Sequence, residues 1–517
     1  MDLGGRTTAL GGTVLTQRRA ALRVWGASAL LMLLAAVPVF STVLPPLFDY
    51  PNHLARMHLL SEGGNQFYEV QWEPVPNLAQ DLIVPPLARL VPLDIASKLF
   101  LIATLGLISA ATIWLNRIIT GTWRLWPLLA FTLLYNRVFL WGFLNYLFGI
   151  GIALAGAALW LALDCKQWWL RVFTSTLVAL TCYFSHVAAF GFYALVIVGI
   201  ELQAARAELR ARSWPALGRR MAIAGAQFAA PAVLFAGYWD KTAAAGVSYP
   251  AIWRKADLLF SVFDNYNRVF DIACFALFLG LLVSLTAARR LQVSLRLAWA
   301  VGVVVTAYLL SPSQLSGGSG ADHRLPIAVF LLLIAASAPE FPNRRTAAVI
   351  GAAASVLLVS RLAVIEFVWL RAEGVYSPEL AGIDRLPRGA RLAVAYPVNA
   401  VNFAAIPQVH LPLLAVARRE AFVPTLFAYK GQQPVALKPP YGALANAAAP
   451  QALWDFVWNK RETAEAEGLR RVLQEYDFLV VVGGESRDAP PMECLRPFFK
   501  QPDFEILSVL HNPGCKS

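Results

Sequence analysis

The sequence predicts a polytopic α-helical membrane protein of about 11 transmembrane helices, followed by a small extracytoplasmic α/β domain. Three observations carry this. Of 517 residues, 58% are hydrophobic and only 15% are charged, whereas a soluble domain carries roughly 25% charged residues. Mean hydropathy is +0.55. The apolar residues fall into runs of spanning length up to about residue 370, where short β-rich runs bounded by turn residues replace them.

The elements follow in order. Residues 1–21 read as a cytoplasmic tail. Arg18, Arg19 and Arg23 lead into an apolar run at 22–44 that is longer than a signal-peptide core. Pro45 and Pro46 follow it in place of a small-residue cleavage site, so an uncleaved first span is expected. Further runs lie at 99–116, 125–142, 145–163, 171–185, 187–204, 221–238, 269–287, 297–310, 326–338 and 347–369, which makes eleven. The transmembrane domain is thus expected over 22–370, with a large first outer loop at 45–98.

Charge sets the expected orientation. With the N-terminus inside, the inner turns hold Arg117 and Arg124, Lys166 and Arg171, Arg206 through Arg220, Arg289 through Arg296, and Arg344 and Arg345. Cytoplasmic loops collect such residues. They absorb most of the net charge of +12, and no basic run interleaved with aromatics points to nucleic acid. Sixteen Trp and fifteen Tyr suit interfacial aromatic belts. The outer side then receives the loops at 45–98, 239–268 and 311–325, the turns near 143 and at His186, and residues 371–517. All six histidines fall there. The Ala-, Arg- and Leu-rich composition suits a bacterium, which places the chain in a bacterial inner (plasma) membrane with the lipid bilayer as its first partner.

In the C-terminal region "RLAVAYPV" (391–398), "FLVVVGG" (478–484) and "FEILSVL" (504–510) read as strands. Residues 451–477 read as an amphipathic helix broken near Gly468, and the Pro- and Ala-rich stretch 434–450 as an irregular loop. Cys165, Cys182 and Cys274 sit in or beside membrane helices as small apolar residues. Cys494 and Cys515 are a disulfide candidate that an oxidising compartment permits, though spacing alone leaves their pairing open. The chain has no glycine-rich phosphate loop, HExxH, GxSxG or CxxC motif.

The stretch "PPLFDYPNHLARMHLL" (45–60) carries Asp49, His53 and Arg56 at offsets that share one helical face. Asp49 could simply cap a helix begun by Pro51, and Arg56 could snorkel to headgroups. Against that, the next outer loops also hold clustered charge: Arg254 and Lys255 in "WRKAD", and His323 and Arg324 in "ADHRLP". Arg137 and Asn145 lie inside an otherwise apolar stretch, where polar groups usually face a cavity, although Asn145 could equally serve helix packing. Arg361 and Glu366 in the last span are expected to pair across about one turn.

The layout resembles the membrane glycosyltransferases of the GT-C fold, such as protein O-mannosyltransferases and lipid A aminoarabinose transferases. The resemblance rests on "FDYPNHLAR" (48–56), "WGFLNYLFGIGIAL" (141–154) and "ADHRLPIAVFLLL" (321–333). It covers nearly the whole chain in architecture and about 40 residues in detail. It implies a catalytic acidic residue soon after the first helix, here Asp49. Many members show paired acids at that place, but here Tyr50 follows, which leaves a divalent metal possible and unassigned; one carboxylate makes a poor divalent-cation site.

The chemistry supports the same expectation. A polyprenyl-phosphate sugar donor releases a phosphate monoester with a second pKa of about 6. It departs without general-acid help if cations stabilise it. One carboxylate then suffices to deprotonate the acceptor, with inversion at the anomeric carbon, whereas a glycosidase wants two facing carboxylates. Asp49 is expected as that base. Lys255, Arg324 and Arg254 are expected to clamp phosphate, and His53 and Arg56 to orient acceptor or phosphate. The acceptor class stays open among glycan, lipid and protein. The rival functions are a transporter or flippase for a lipid-linked or anionic substrate, and a non-catalytic membrane assembly protein.

Overall fold

The computed structural model describes residues 4–164, 167–242, 246–315, 318–397, 407–429, 431–459, 464–483 and 494–511. Helices dominate to residue 384. They are α1 (Gly4–Ser41), α2 (Tyr50–Glu62), α3 (Ala79–Leu87), α4 (Leu93–Thr120), α5 (Arg137–Leu140), α6 (Leu144–Ala162), α7 (Trp168–Ser185) and α8 (Val187–Ala204). There follow α9 (Arg206–Arg210), α10 (Trp214–Ala226), α11 (Ala229–Thr242), α12 (Ile252–Leu259), α13 (Arg268–Ala287), α14 (Leu295–Leu310), α15 (Ala321–Ala336) and α16 (Arg344–Asp384).

Six segments are long and apolar enough to cross a bilayer: Leu15–Ser41, α4, α6, Val187–Arg210, α13 and α16. The pair α10 and α11, bent by 53°, would make a seventh. These helices fit a multi-pass membrane protein. The remaining sequence runs differ for local reasons. Residues 125–142 form a 3₁₀ segment, Trp126–Leu133, and then the single turn of α5. Helices α14 and α15 have 16 residues each, about 24 Å at 1.5 Å per residue, short of a hydrocarbon core of roughly 30 Å.

Helix α6 packs against α4, α7 and α8, and α8 against α14. At Gly199 of α8 the approach is so close that an added Cβ would lie 2.2 Å from Cα of Ala300; small residues permit such contacts between membrane helices. At the end of α1, buried Lys98 donates to the Thr42 carbonyl at 2.5 Å, a cation on the negative end of the helix dipole.

Arg361 does not pair with Glu366. It reaches Asp271 at 3.2 Å and donates to the carbonyls of Phe263 and Tyr135 at 3.0 and 3.1 Å. Glu366 instead accepts from the Ser41 hydroxyl at 3.0 Å. A buried guanidinium needs several acceptors, and these three lie on other elements.

Helix α16 runs on past residue 370 without a break. Its 41 residues span about 60 Å, and its last turns join the C-terminal region. That region holds a four-stranded sheet in the spatial order Leu392–Ala395, Phe478–Val482, Phe504–Val509, Leu495–Gln501. The first pair is parallel and the others antiparallel. All three sequence-predicted strands are present. The fourth, Leu495–Gln501, was hidden by its alternating polar residues; it forms a hairpin through Pro502 and Asp503, whose φ is 61°. Gly468 lies inside the helix Ala464–Leu473, so it does not mark the break; the preceding helix ends at Asn459.

The stretch 434–450 is not irregular. Val435–Leu437 pairs antiparallel with Tyr68–Val70 of the first loop, and Tyr441–Ala447 is helical. The short strand in "PVALK" is flanked by Pro434, Pro439 and Pro440, which make the stretch read as a loop. This pairing docks the C-terminal region onto the 45–98 loop. Asn52 extends the dock: its side chain donates to the Thr425 carbonyl at 3.2 Å and accepts from Phe427 N at 3.0 Å. Cys494 is disulfide-bonded, and its carbonyl accepts from Leu510 N at 2.9 Å; Cys515 lies outside the described residues.

Candidate functional site

The chain leaves α1, turns at Pro45 and Pro46, and runs against the 140–142 segment. Phe48 N donates to the Leu140 carbonyl at 2.8 Å and Asp49 N to the Trp141 carbonyl at 3.1 Å. Helix α2 then begins with Pro51 in its first turn. Asp49 occupies the N-cap position, yet its side chain makes no capping hydrogen bond. The capping role the sequence allows is therefore unused. The carboxylate faces His410, whose Nε2 lies 3.3 Å from Oδ1.

Asp49, His53 and Arg56 line one cavity of about 630 Å³, as their spacing on α2 predicts. Its other walls come from Trp141 through Tyr146, from His186 at the α7–α8 junction, from His323 and Arg324 in the first turn of α15, and from the C-terminal region. That last wall supplies His410, Phe427, Tyr429, Gln432 and Gln433. Of the residues singled out from sequence, Asp49, His53, Arg56, Asn145, His323 and Arg324 are brought together.

Gly142 makes the approach to Asp49 possible. Its φ is +91°, and an added Cβ would lie 3.0 Å from Asp49 Cβ and 3.2 Å from Asp49 N. Gly142→Ala is therefore expected to cost about 1–3 kcal/mol from the strained backbone. Thermal unfolding in detergent reads the effect.

Arg56 and Asp81 are both fully buried and bonded twice, Nε to Oδ1 at 2.7 Å and Nη2 to Oδ2 at 3.2 Å. This is the bidentate geometry that carboxylates favour. Burial pushes the Asp81 carboxyl up and Arg56 pulls it back down. Nη1 of Arg56 has no hydrogen-bond partner among the described residues, so one donor of a cavity-lining guanidinium is uncommitted. Arg324 lies over the Phe143 ring at 4.4 Å. Its carbonyl accepts from the Tyr146 hydroxyl at 2.6 Å, which pins the start of α15.

Four of the six histidines line the cavity. His53 Nε2 lies 3.0 Å from the Gly142 carbonyl. A carbonyl can only accept, so that nitrogen carries the proton. Burial, followed by the charge of Arg56, pushes His53 down to about 4. Burial also lowers His186 and His323. These three rings are thus neutral at pH 7, and Asp49, Arg56 and Arg324 bring formal charges to the lining. His323 packs on Trp141 with ring centroids 4.8 Å apart. Asn145 has a scaffold role: it donates to the Asn77 carbonyl at 2.7 Å and accepts from Gln80 N at 2.7 Å, fixing the entry to α3.

Three expected residues lie elsewhere. Lys255 is buried, and its ammonium meets the Ser311 carbonyl at 2.7 Å, the Ser311 hydroxyl at 3.0 Å and Asp322 at 3.1 Å. An ammonium has three donors, so none is left to clamp a phosphate. Arg254 is exposed beside Trp253, 5.4 Å from its ring centroid. Arg137 is paired with Asp264. None of the three lines the cavity.

A divalent metal does not fit this donor set. Hard cations take several oxygen ligands, but the lining offers one carboxylate. Among the described residues no group of three or more His, Cys, Asp or Glu side chains is placed to hold a metal ion.

His186, His410 and the 427–433 segment went unassigned from sequence. Only their expected outer placement hinted at them, because nothing in the local pattern shows which distant turn meets α2. No protein-family model matches the chain, and no curated protein matches it.

Proposed function

We propose that this chain is an integral membrane glycosyltransferase of the GT-C type. It moves a sugar from a polyprenyl-phosphate donor to a glycan, lipid or protein acceptor on the extracytoplasmic face, with inversion. The observation that carries this reading is the Asp49 carboxylate, spared from helix capping and set in a cavity lined by Arg56 and Arg324.

In the reaction the acceptor hydroxyl gives its proton to Asp49 while its oxygen bonds to the anomeric carbon. The bond from that carbon to the phosphate oxygen breaks on the opposite face, and the electron pair leaves with the phosphate. Arg324, with the charge of Arg56 set behind the cavity wall, stabilises the phosphate as its second negative charge develops. The neutral lining, Trp141, Asn77 and Gln433 among it, suits the uncharged faces of a sugar. The C-terminal wall makes the pocket composite, with its donor side on the helical part and its acceptor side on the sheet domain.

The test is release of undecaprenyl phosphate from a panel of undecaprenyl-phosphate hexoses and pentoses by the purified protein, with water or simple alkyl glycosides as acceptors. Release that depends on Asp49 is expected. No release from any member overturns the reading. A reporter fused beyond residue 384 is expected on the outer face; a cytosolic signal would remove the cavity from the side where the donor sugar is proposed to be used.

A further inference from the structure

We infer that His410 is a positioning residue for Asp49, so that the C-terminal region completes the reactive centre as well as walling it. This rests on the reading of Asp49 as the base. His410 Nε2 lies 3.3 Å from Asp49 Oδ1. At that distance the ring nitrogen and the carboxylate oxygen are in close polar contact. The ring is buried and held edge-on between Phe48 at 4.9 Å and Phe427 at 5.6 Å. Phe48 immediately precedes Asp49, and Phe427 belongs to the segment that Asn52 clamps.

The backbone that delivers His410 is also fixed. The Tyr376 hydroxyl donates to the Pro407 carbonyl at 2.6 Å, and Gln408 donates to Glu379 at 2.5 Å. Both partners lie near the end of α16. The single helix that runs on into the sheet domain therefore sets where His410 stands, and His410 sets how Asp49 turns. With Oδ1 held, Oδ2 is the oxygen that takes the acceptor's proton. The ring acts on the reaction through the carboxylate.

The test compares His410→Phe, which fills the ring space without a donor, with His410→Gln, whose amide nitrogen can occupy the place of Nε2. His410→Leu stands in if the Phe variant fails to insert. Undecaprenyl-phosphate sugars and alkyl glycosides are the probes, and thermal unfolding confirms the fold. His410→Phe is expected to lower kcat roughly 10- to 100-fold, as loss of a polar contact that orients the reacting carboxylate would. The donor KM should stay within about twofold, and His410→Gln should recover most of the rate. A Phe variant with wild-type kcat overturns the inference, as does a raised KM with kcat kept, which would make His410 a binding wall. Failure of Gln to recover a folded protein's rate overturns it too. If instead Asp49→Asn keeps its activity while His410→Phe loses it, the base assignment itself fails.

Discussion

Asp49→Asn is expected to lower turnover by about 10²- to 10⁴-fold, the range a positioned general base supplies, while leaving the fold intact. The substitution keeps the shape of the side chain. It also keeps an oxygen to face His410, and the backbone bond from residue 49 to the Trp141 carbonyl is untouched. Nothing caps through this carboxylate, so no helix end is lost with it. Stability should therefore change by less than about 1 kcal/mol, the typical scale for a site outside the core packing. The measurement is the rate of undecaprenyl phosphate release beside the unfolding midpoint of the same preparation. A variant that turns over at the wild-type rate removes the base, and a scaffold protein would behave that way.

The second large effect lies about two turns along α2 from Asp49, where Arg56 meets Asp81 of α3. Asp81→Ala should destabilise the protein by about 3–5 kcal/mol, because it leaves the Arg56 guanidinium buried without its counter-charge. Both side chains are fully buried, so solvent cannot make up the loss. Replacing the pair together, Arg56→Met with Asp81→Leu, should return most of that stability, since similar-sized apolar residues fill the same space. The double variant also lacks the Arg56 charge behind the cavity wall, so its fold should recover while its affinity for the donor stays weak. Thermal unfolding separates the first outcome from the second, and donor titration reads the latter. If both variants unfold alike, the cost comes from packing around α3 and not from an unpaired charge. If the double variant binds donor as the wild type does, Arg56 has no part in holding phosphate.

How much of this was legible depends on distance along the chain. The polar face of α2 was legible because helical periodicity is local: residues 49, 53 and 56 must share a side wherever the helix docks. His323 and Arg324 were legible as charges at the mouth of an apolar run. Lys255 was misjudged for the complementary reason. Its charge is visible in "WRKAD", but Ser311 and Asp322, which take all three of its hydrogens, belong to later segments. The same holds for Arg361, whose partner lies on α13 and not one turn away. The unwound stretch at 126–133 was unreadable as well, since an apolar run looks the same whether it spans as a helix or packs as a 3₁₀ turn inside the protein.

What the sequence by itself determined is the apolar character of the helices, the change to short strands near residue 390, and the face of α2 that carries the acid. These follow from hydropathy and spacing, which act between near neighbours. Only the tertiary structure decided which far-off groups meet that acid. His410 comes from beyond the last helix and Arg324 from the start of α15. The C-terminal region that brings His410 also docks onto the first loop through the strand pairing of Tyr68–Val70 with Val435–Leu437, a contact whose hydrogen bonds are all backbone and so leave no residue-specific mark in the chain.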